Sequence, residues 1–166
     1  MKIAYEEDWF MNAVREREKR APFMRTKYAD TEARRKGQLR GLVIEHHVSG
    51  WFKRNFRSNY LEPDNYRQWT KTCPHDFKLK IKGTVYRVDV SGPKKDGSFG
   101  SYHQKPHHGV DYHILAKPIG LKSWNDVDYK KGFEIIGVLE AQNFGRQIDK
   151  TRIIPFDKWL KSIKLI

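Results

Sequence analysis

The sequence predicts an α/β or α+β domain built on a central mixed β-sheet flanked by helices. Three observations predict this class: two stretches with apolar residues at helical spacing come first, alternating strand-like runs follow, and a short amphipathic stretch closes the chain. The 166 residues contain no long internal repeat. We therefore expect one domain, with residues 1–30 as a helical N-terminal extension and residues 31–166 as the core.

Helical spacing of apolar residues predicts two helices before any strand. The first spans about residues 5–20, and Ala21-Pro22 is expected to end it because the residue before a proline avoids helical geometry. The second spans about residues 31–56 and carries a long apolar stripe. A last helix is expected to begin near Pro155, since proline suits a first helical turn.

A β-hairpin gives the clearest strand pattern. Apolar and polar residues alternate over 77–81 and again over 85–90, on either side of a tight turn at Lys82-Gly83. This register sets Phe77 opposite Val88 and gives the polar partners one common face. Two further strands are predicted at 110–116 and 133–139, an aromatic connection at 59–74 and a long loop at 92–109.

A surplus of positive charge limits the possible partners. The 33 Lys and Arg residues outnumber the 20 Asp and Glu residues, giving a net charge of +13. Nucleic acid is the usual partner of such a surplus, the alternative being a merely solubilising surface. No apolar run approaches a membrane span, and the first residues lack the apolar core of a secretory signal, so we expect an intracellular, cytoplasmic protein. The single Cys73 excludes an internal disulfide and a cysteine-rich zinc site.

Two aspartates are predicted to face each other across the hairpin. The register sets Asp76 opposite Asp89, and like charges directly opposed destabilise a sheet. At about 5 Å two carboxylates repel by roughly 3 kcal/mol at an effective dielectric near 20. A divalent cation between them removes this cost, and hard oxygen ligands suit Mg²⁺. Alternatively, both aspartates are solvated at a strand edge, or a longer turn makes them face apart.

A third acid, Glu45, interrupts the otherwise apolar stripe of the second predicted helix. A buried glutamate is rare unless it is paired or bound to a metal, so Glu45 is a further candidate ligand. The alternative is that it lies on the solvent side of the helix or pairs with a nearby arginine.

These acids carry a resemblance to a known family. Glu45 on a helix, the sequence 74–76 before a hairpin, and the sequence 89–94 after it resemble the active-site pattern of the PD-(D/E)XK nuclease superfamily. That superfamily includes restriction endonucleases, archaeal Holliday junction resolvases and phage recombination nucleases. The resemblance covers about residues 39–140 and implies a restriction-endonuclease-like core in the order helix, three strands, helix, strand. Some phage nucleases are similar in size, which suggests an origin in a phage or mobile element.

The resemblance also implies roles for individual residues. The acids at 76 and 89 are expected to bind Mg²⁺, for which Mn²⁺ can substitute, Glu45 to support them, and a lysine to orient or activate water. Two departures stand out: His75 is inserted before Asp76, and Ser91 occupies the position of the expected lysine. Lys94 in the following loop or Lys78 on the partner strand could supply the ammonium group, with Lys94 preferred.

A second assignment fits the motif letter by letter. It takes Asp64 and Asp76 as the metal ligands and Lys78 as the catalytic lysine. Asp64 follows Pro63 in what looks like a turn rather than a strand, so the hairpin assignment is preferred.

Basic and histidine side chains surround the predicted site. Phosphate contacts, or a solvated charged face, are expected from Arg34, Arg35, Lys36, Arg40, Lys80, Lys95 and Lys105. A histidine cluster near the long loop comprises His103, His107, His108 and His113. It lacks the cysteines or repeated spacing of a strong zinc motif. His113 and His75 are candidates for water activation.

Together these features predict a Mg²⁺-dependent deoxyribonuclease that acts as an endonuclease rather than an exonuclease, and a homodimer is a possible assembly. One alternative is a noncatalytic, basic nucleic-acid-binding protein whose nuclease site has degenerated. Another is a basic assembly protein that binds no nucleic acid.

Overall fold

The computed structural model describes residues 1–25, 32–64, 75–100 and 109–166, with backbone alone for 22–25 and 33–35. These ranges form a mixed six-stranded sheet with three α-helices, which confirms the predicted α/β class. None of the described helices combines the length and apolar character that crossing a bilayer requires. The elements in chain order are β1 (Lys2–Ile3), α1 (Glu7–Arg25), α2 (Glu32–Asn55), β2 (Tyr60–Leu61), β3 (Phe77–Ile81), β4 (Thr84–Ser91), β5 (Tyr112–Pro118), β6 (Phe133–Glu140) and α3 (Phe156–Ser162).

The strands lie in the order β1-β6-β5-β4-β3-β2. Neighbours are antiparallel except β4 and β5, which are parallel, so the chain must cross from one end of the sheet to the other between them. The outer strands β1 and β2 are two residues long and were not predicted, because so short a strand carries no alternation.

The predicted hairpin is confirmed. Phe77 pairs with Val88 and Leu79 with Tyr86. Lys82 and Gly83 both have positive φ, 48° and 87°, as a two-residue turn of type I′ requires. The buried face of β3 is fully apolar, so a slip by one residue would expose it.

Helix α2 covers the sheet on the side of the main core. Its Phe52 ring lies 5.0 Å from the ring of Phe77, and Val48 and Phe52 are fully buried. Trp159 of α3 is buried in the same cluster. A smaller apolar cluster formed around Leu115 covers part of the other side of the sheet. The predicted bounds of α2 are confirmed to within about a residue at each end.

Helix α1 corrects the prediction that Ala21-Pro22 ends the first helix, because it continues to Arg25. A proline removes the hydrogen bond of its own N–H and its ring crowds the carbonyl four residues earlier. The helix nevertheless continues past Pro22, for less than one further turn. Glu16 and Arg20 therefore lie inside the helix rather than at its frayed end.

The connection between β5 and β6 differs from the order that the resemblance implies. Residues 119–132 are all described, and their helical structure is limited to the 3₁₀ turn Tyr129–Lys131. A short turn thus stands where a second core helix was expected.

The packing of α1 on α2 depends on Gly50. A Cβ added there would lie 2.5 Å from Cε2 of Trp9, well inside contact distance. We expect Gly50→Ala to lower the free energy of unfolding by about 1 to 3 kcal/mol, because the indole must move. Gly41→Ala is the matched control on the same helix: its Cβ would meet nothing within 4 Å, so the better helix propensity of alanine should add up to about 1 kcal/mol. Denaturant unfolding of both variants tests this, and an equal gain would contradict the packing argument.

Candidate metal centre

Asp76 lies one residue before β3, beyond the last pair of the hairpin. Its N–H donates to the carbonyl of Val88 at 2.8 Å, and its Oδ2 accepts the N–H of Val90 at 2.7 Å. The backbone groups of the two residues that flank Asp89 therefore fix the position of Asp76. Burial raises the pKa of Asp76 well above its usual range, and the nearby charges of Glu45 and Asp89 raise it further.

Asp89 is positioned by the parallel neighbour of its own strand. The pairing of β4 with β5 sets it beside His113, whose Nδ1 lies 2.9 Å from Asp89 Oδ2. Ser91 Oγ donates to the same oxygen at 3.0 Å. His113 is fully buried and stacks on Phe144 with ring centroids 3.8 Å apart. The carboxylate orientation is thus fixed by a rigid imidazole and a hydroxyl.

Glu45 approaches the two aspartates from α2. Its side chain is half-buried, and burial raises its pKa to about 7, with the charges of Glu16 and Asp89 acting in the same direction. Within the described ranges, no residue donates a hydrogen bond to it. A Cβ on Gly92, just after β4, would lie 2.8 Å from Ile44 Cδ1. This close approach ties the end of β4 to the turn of α2 that carries Glu45.

The structure also brings α1 to the site, which the sequence analysis missed. Glu16 Oε2 lies 2.6 Å from His46 Nε2. One potential ligand atom from each of Glu16, Glu45 and His46 lies within 4.8 Å of the others. Arg20 forms a salt bridge to the other oxygen of Glu16. Glu16 and Arg20 were not predicted as site residues because they lie in a long run of charged residues. Their spacing from the buried Ala13, three and seven residues on, places them on the same face of the helix.

The two lysines proposed from the sequence have other partners. Lys78 Nζ lies 2.5 Å from Asp64 Oδ1, and Lys94 Nζ donates to the carbonyl of Arg146 at 3.2 Å. The contact between Asp64 and Lys78 supports the alternative assignment, in which Asp64 is a metal ligand and Lys78 the catalytic lysine. However, Asp64 is exposed, and the charges of Glu45 and Asp89 are those that raise the pKa of Asp76 most after burial.

The predicted phosphate contacts differ in their surroundings. Lys36 pairs with Glu32 at 2.9 Å. Arg40 donates to the carbonyl of Trp124 at 3.0 Å and lies over its ring, a packing role. Lys80 and Lys95 are exposed. Predictions that lie outside the described residues concern Pro74, His103, Lys105, His107 and His108, and the side chains of Arg34 and Arg35.

The two histidines considered for water activation occupy different places. His75 is buried near Asp64, whose N–H donates to His75 Nε2 at 3.3 Å, and burial lowers its pKa. His113 contacts Asp89 directly. The structure therefore places His113 against Asp89 and His75 against Asp64.

The chain was compared with protein-family models, with curated proteins and with solved structures, and nothing matches it. The arrangement of Glu45, Asp76 and Asp89 must then be judged by its chemistry. Among the described residues, the group whose ligand atoms all lie within 4.8 Å of one another is Glu16, Glu45 and His46, without the two aspartates. Burial, and then the charges of Glu45 and Asp89, nevertheless raise the pKa of Asp76, and half-buried carboxylate oxygens of this kind suit Mg²⁺ or Mn²⁺.

The raised pKa of Asp76 has a consequence for stability. The folded state holds the proton more tightly than the unfolded chain, so without metal Asp76 destabilises the fold as pH rises from about 4 through the raised pKa. We expect Asp76→Asn to melt about 3 °C or more above the wild type in EDTA at neutral pH. The difference should disappear below about pH 4, where the aspartate is protonated in both states.

Thermal melts at several pH values test this, with Asp126→Asn, an exposed loop aspartate, as the matched control. Mg²⁺ or Mn²⁺ should raise the melting temperature of the wild type more than that of the variant, because binding to the folded state stabilises it. A lower melting temperature for Asp76→Asn in EDTA would contradict the repulsion.

Proposed function

We propose that the protein is a metal-dependent nuclease that hydrolyses phosphodiester bonds in DNA. The observation that carries the proposal is that Glu45, Asp76 and Asp89 lie close enough for their charges to interact. Burial raises the pKa of Glu45 and Asp76, and the charge of Asp89 raises both further. Such repulsion destabilises the fold, whereas a divalent cation bound between the carboxylates would neutralise it and gain binding energy.

The three acids would hold one or two Mg²⁺ or Mn²⁺ ions. Such an ion, when bound, polarises the scissile phosphate and lowers the pKa of a coordinated water. The chain supplies the geometry: the N–H of Val90 fixes Asp76, and His113 and Ser91 fix Asp89. These partners hold the carboxylates in place before substrate arrives, which reduces the reorganisation that catalysis requires.

We further propose DNA as the substrate and a restriction-endonuclease-like core as the fold. The net charge of +13 suits a polyanion, and the resemblance favours DNA and endonucleolytic cleavage. The helix with Glu45 and the hairpin with the aspartates would form the catalytic half of a restriction-endonuclease-like core, shortened where a 3₁₀ turn replaces the second helix. An intracellular enzyme of a phage or mobile element, acting as a homodimer, is consistent with this function.

One observation favours a second candidate, a noncatalytic nucleic-acid-binding protein. Ser91 stands where the resemblance expects a lysine, and the nearby Lys78 is paired with Asp64. Such a protein would bind DNA, with affinity falling steeply as salt increases, without cutting it.

Cleavage of supercoiled plasmid tests the proposal. We expect nicking with Mg²⁺ or Mn²⁺ and none in EDTA. The Asp76→Asn/Asp89→Asn double variant should lose at least about 100-fold in rate, because the metal ligands are removed. The Asp126→Asn variant is the control that keeps its activity. Salt-dependent binding without cleavage would favour the noncatalytic candidate, and nicking in EDTA or undiminished nicking by the double variant would refute the mechanism.

A second comparison separates the two assignments of the metal ligands. Asp64→Ala should cleave within about threefold of the wild type, since the described contacts of Asp64 are with Lys78 and His75. Asp89→Ala should be inactive. Initial nicking rates at matched protein concentration measure both, and the reverse order would support Asp64 as the ligand.

A further inference from the structure

We infer that Arg20, held by Glu16, contacts the scissile phosphate and stabilises the negative charge that develops on it during cleavage. The inference rests on the proposed nuclease function and names a residue of the N-terminal helix that this function did not include.

The first support is the link between Arg20 and the carboxylates. Arg20 forms a salt bridge with Glu16 one helical turn away, and Glu16 in turn lies 2.6 Å from His46. Ligand atoms of Glu16 and Glu45 are within 4.8 Å of each other. The guanidinium therefore lies at the edge of the acidic site and not on a remote surface.

The second support is exposure. The Glu16 side chain is 12% exposed, whereas that of Arg20 is 47% exposed. The mostly buried acid anchors a cation that still faces solvent. A guanidinium has five N–H donors, so it can keep its bond to Glu16 and bind a phosphate at the same time.

The third support is a comparison with the two lysines. The Lys78 side chain is 19% exposed and paired with Asp64, whereas that of Arg20 is 47% exposed. Lys94 Nζ donates to the carbonyl of Arg146. Arg20 is therefore the more accessible of the two paired cations.

The chemistry of arginine defines the role. Its guanidinium stays protonated in proteins, so Arg20 cannot remove a proton from water. It would instead donate hydrogen bonds to the nonbridging oxygens as negative charge develops on them. Water activation remains with the metal and its carboxylate ligands.

Several contacts anchor the start of α1 on α2. The N–H of Glu6 donates to His47 Nε2 at 3.1 Å, and the guanidinium of Arg54 bonds to Glu6 at 2.7 Å. Trp9 packs on Gly50. These contacts fix the start of α1, and a continuous helix transmits that position to Arg20.

Single-turnover cleavage at saturating DNA and Mg²⁺ tests the inference. We expect Arg20→Ala to slow cleavage by about 100-fold or more, in line with the loss of one transition-state donor, and Arg20→Lys to recover part of the rate. Arg15→Ala is the matched control, because Arg15 lies on the same helix and its described partner is Asn12. Its rate should stay within about twofold of the wild type.

Metal binding distinguishes a phosphate contact from a structural role. The rise in melting temperature with Mn²⁺ should be as large in Arg20→Ala as in the wild type, or larger, because a repelling positive charge has been removed. Loss of this rise would assign Arg20 to support of the metal ligands and overturn the inference. If Arg20→Ala unfolds, Arg20→Gln serves for both measurements.

The outcomes separate the two proposals. An active wild type with an equally active Arg20→Ala variant overturns the inference alone. A larger loss in Lys78→Ala or Lys94→Ala than in Arg20→Ala overturns it as well, in favour of that lysine. A wild type that binds DNA but never cleaves it overturns the proposed function and this inference together.

Discussion

The repulsion between half-buried carboxylates is the constraint on which the rest of the structure depends. Glu45 and Asp76 lie in a region where burial disfavours their charge. The charges of Glu16 and Asp89 raise the pKa of Glu45 further, and those of Glu45 and Asp89 do the same for Asp76. Apolar packing of α2 against the sheet, centred on Phe52 and Phe77, must offset this cost. Part of the free energy gained by core packing thus offsets the repulsion at this polar site, as is common where a site is not optimised for stability.

The position of each acid follows from a different kind of contact. Asp76 is fixed by backbone N–H groups at the end of a hairpin, Asp89 by a side chain on the parallel neighbour strand, and Glu45 by the helix face that packs on the sheet. Because three separate elements contribute, the site forms only when the sheet and helices have packed. Local unfolding of any one element would disperse the acids.

The sequence predicted best the features that local patterns encode. Alternation and a turn at Lys82-Gly83 gave the hairpin register, and a lone acid in an apolar helical stripe identified Glu45. Long-range features were missed: the parallel pairing that sets His113 beside Asp89 depends on how a loop crosses the sheet. Glu45 was predicted because it differs from its apolar neighbours. Glu16 was missed because its own neighbours are charged and its partner His46 is distant in sequence.

The two short outer strands affect how copies of this chain can associate. On one side β1 pairs with the first residues of β6, and Ile154 bonds to Val138 further along the same strand. On the other side β2 covers the middle of β3. Exposed strand edges are where sheets of separate molecules join, and these edges are already partly occupied from within the chain. Copies of this chain that associate are therefore expected to meet through helices or loops, so that side-chain packing rather than a continuous sheet would set their separation.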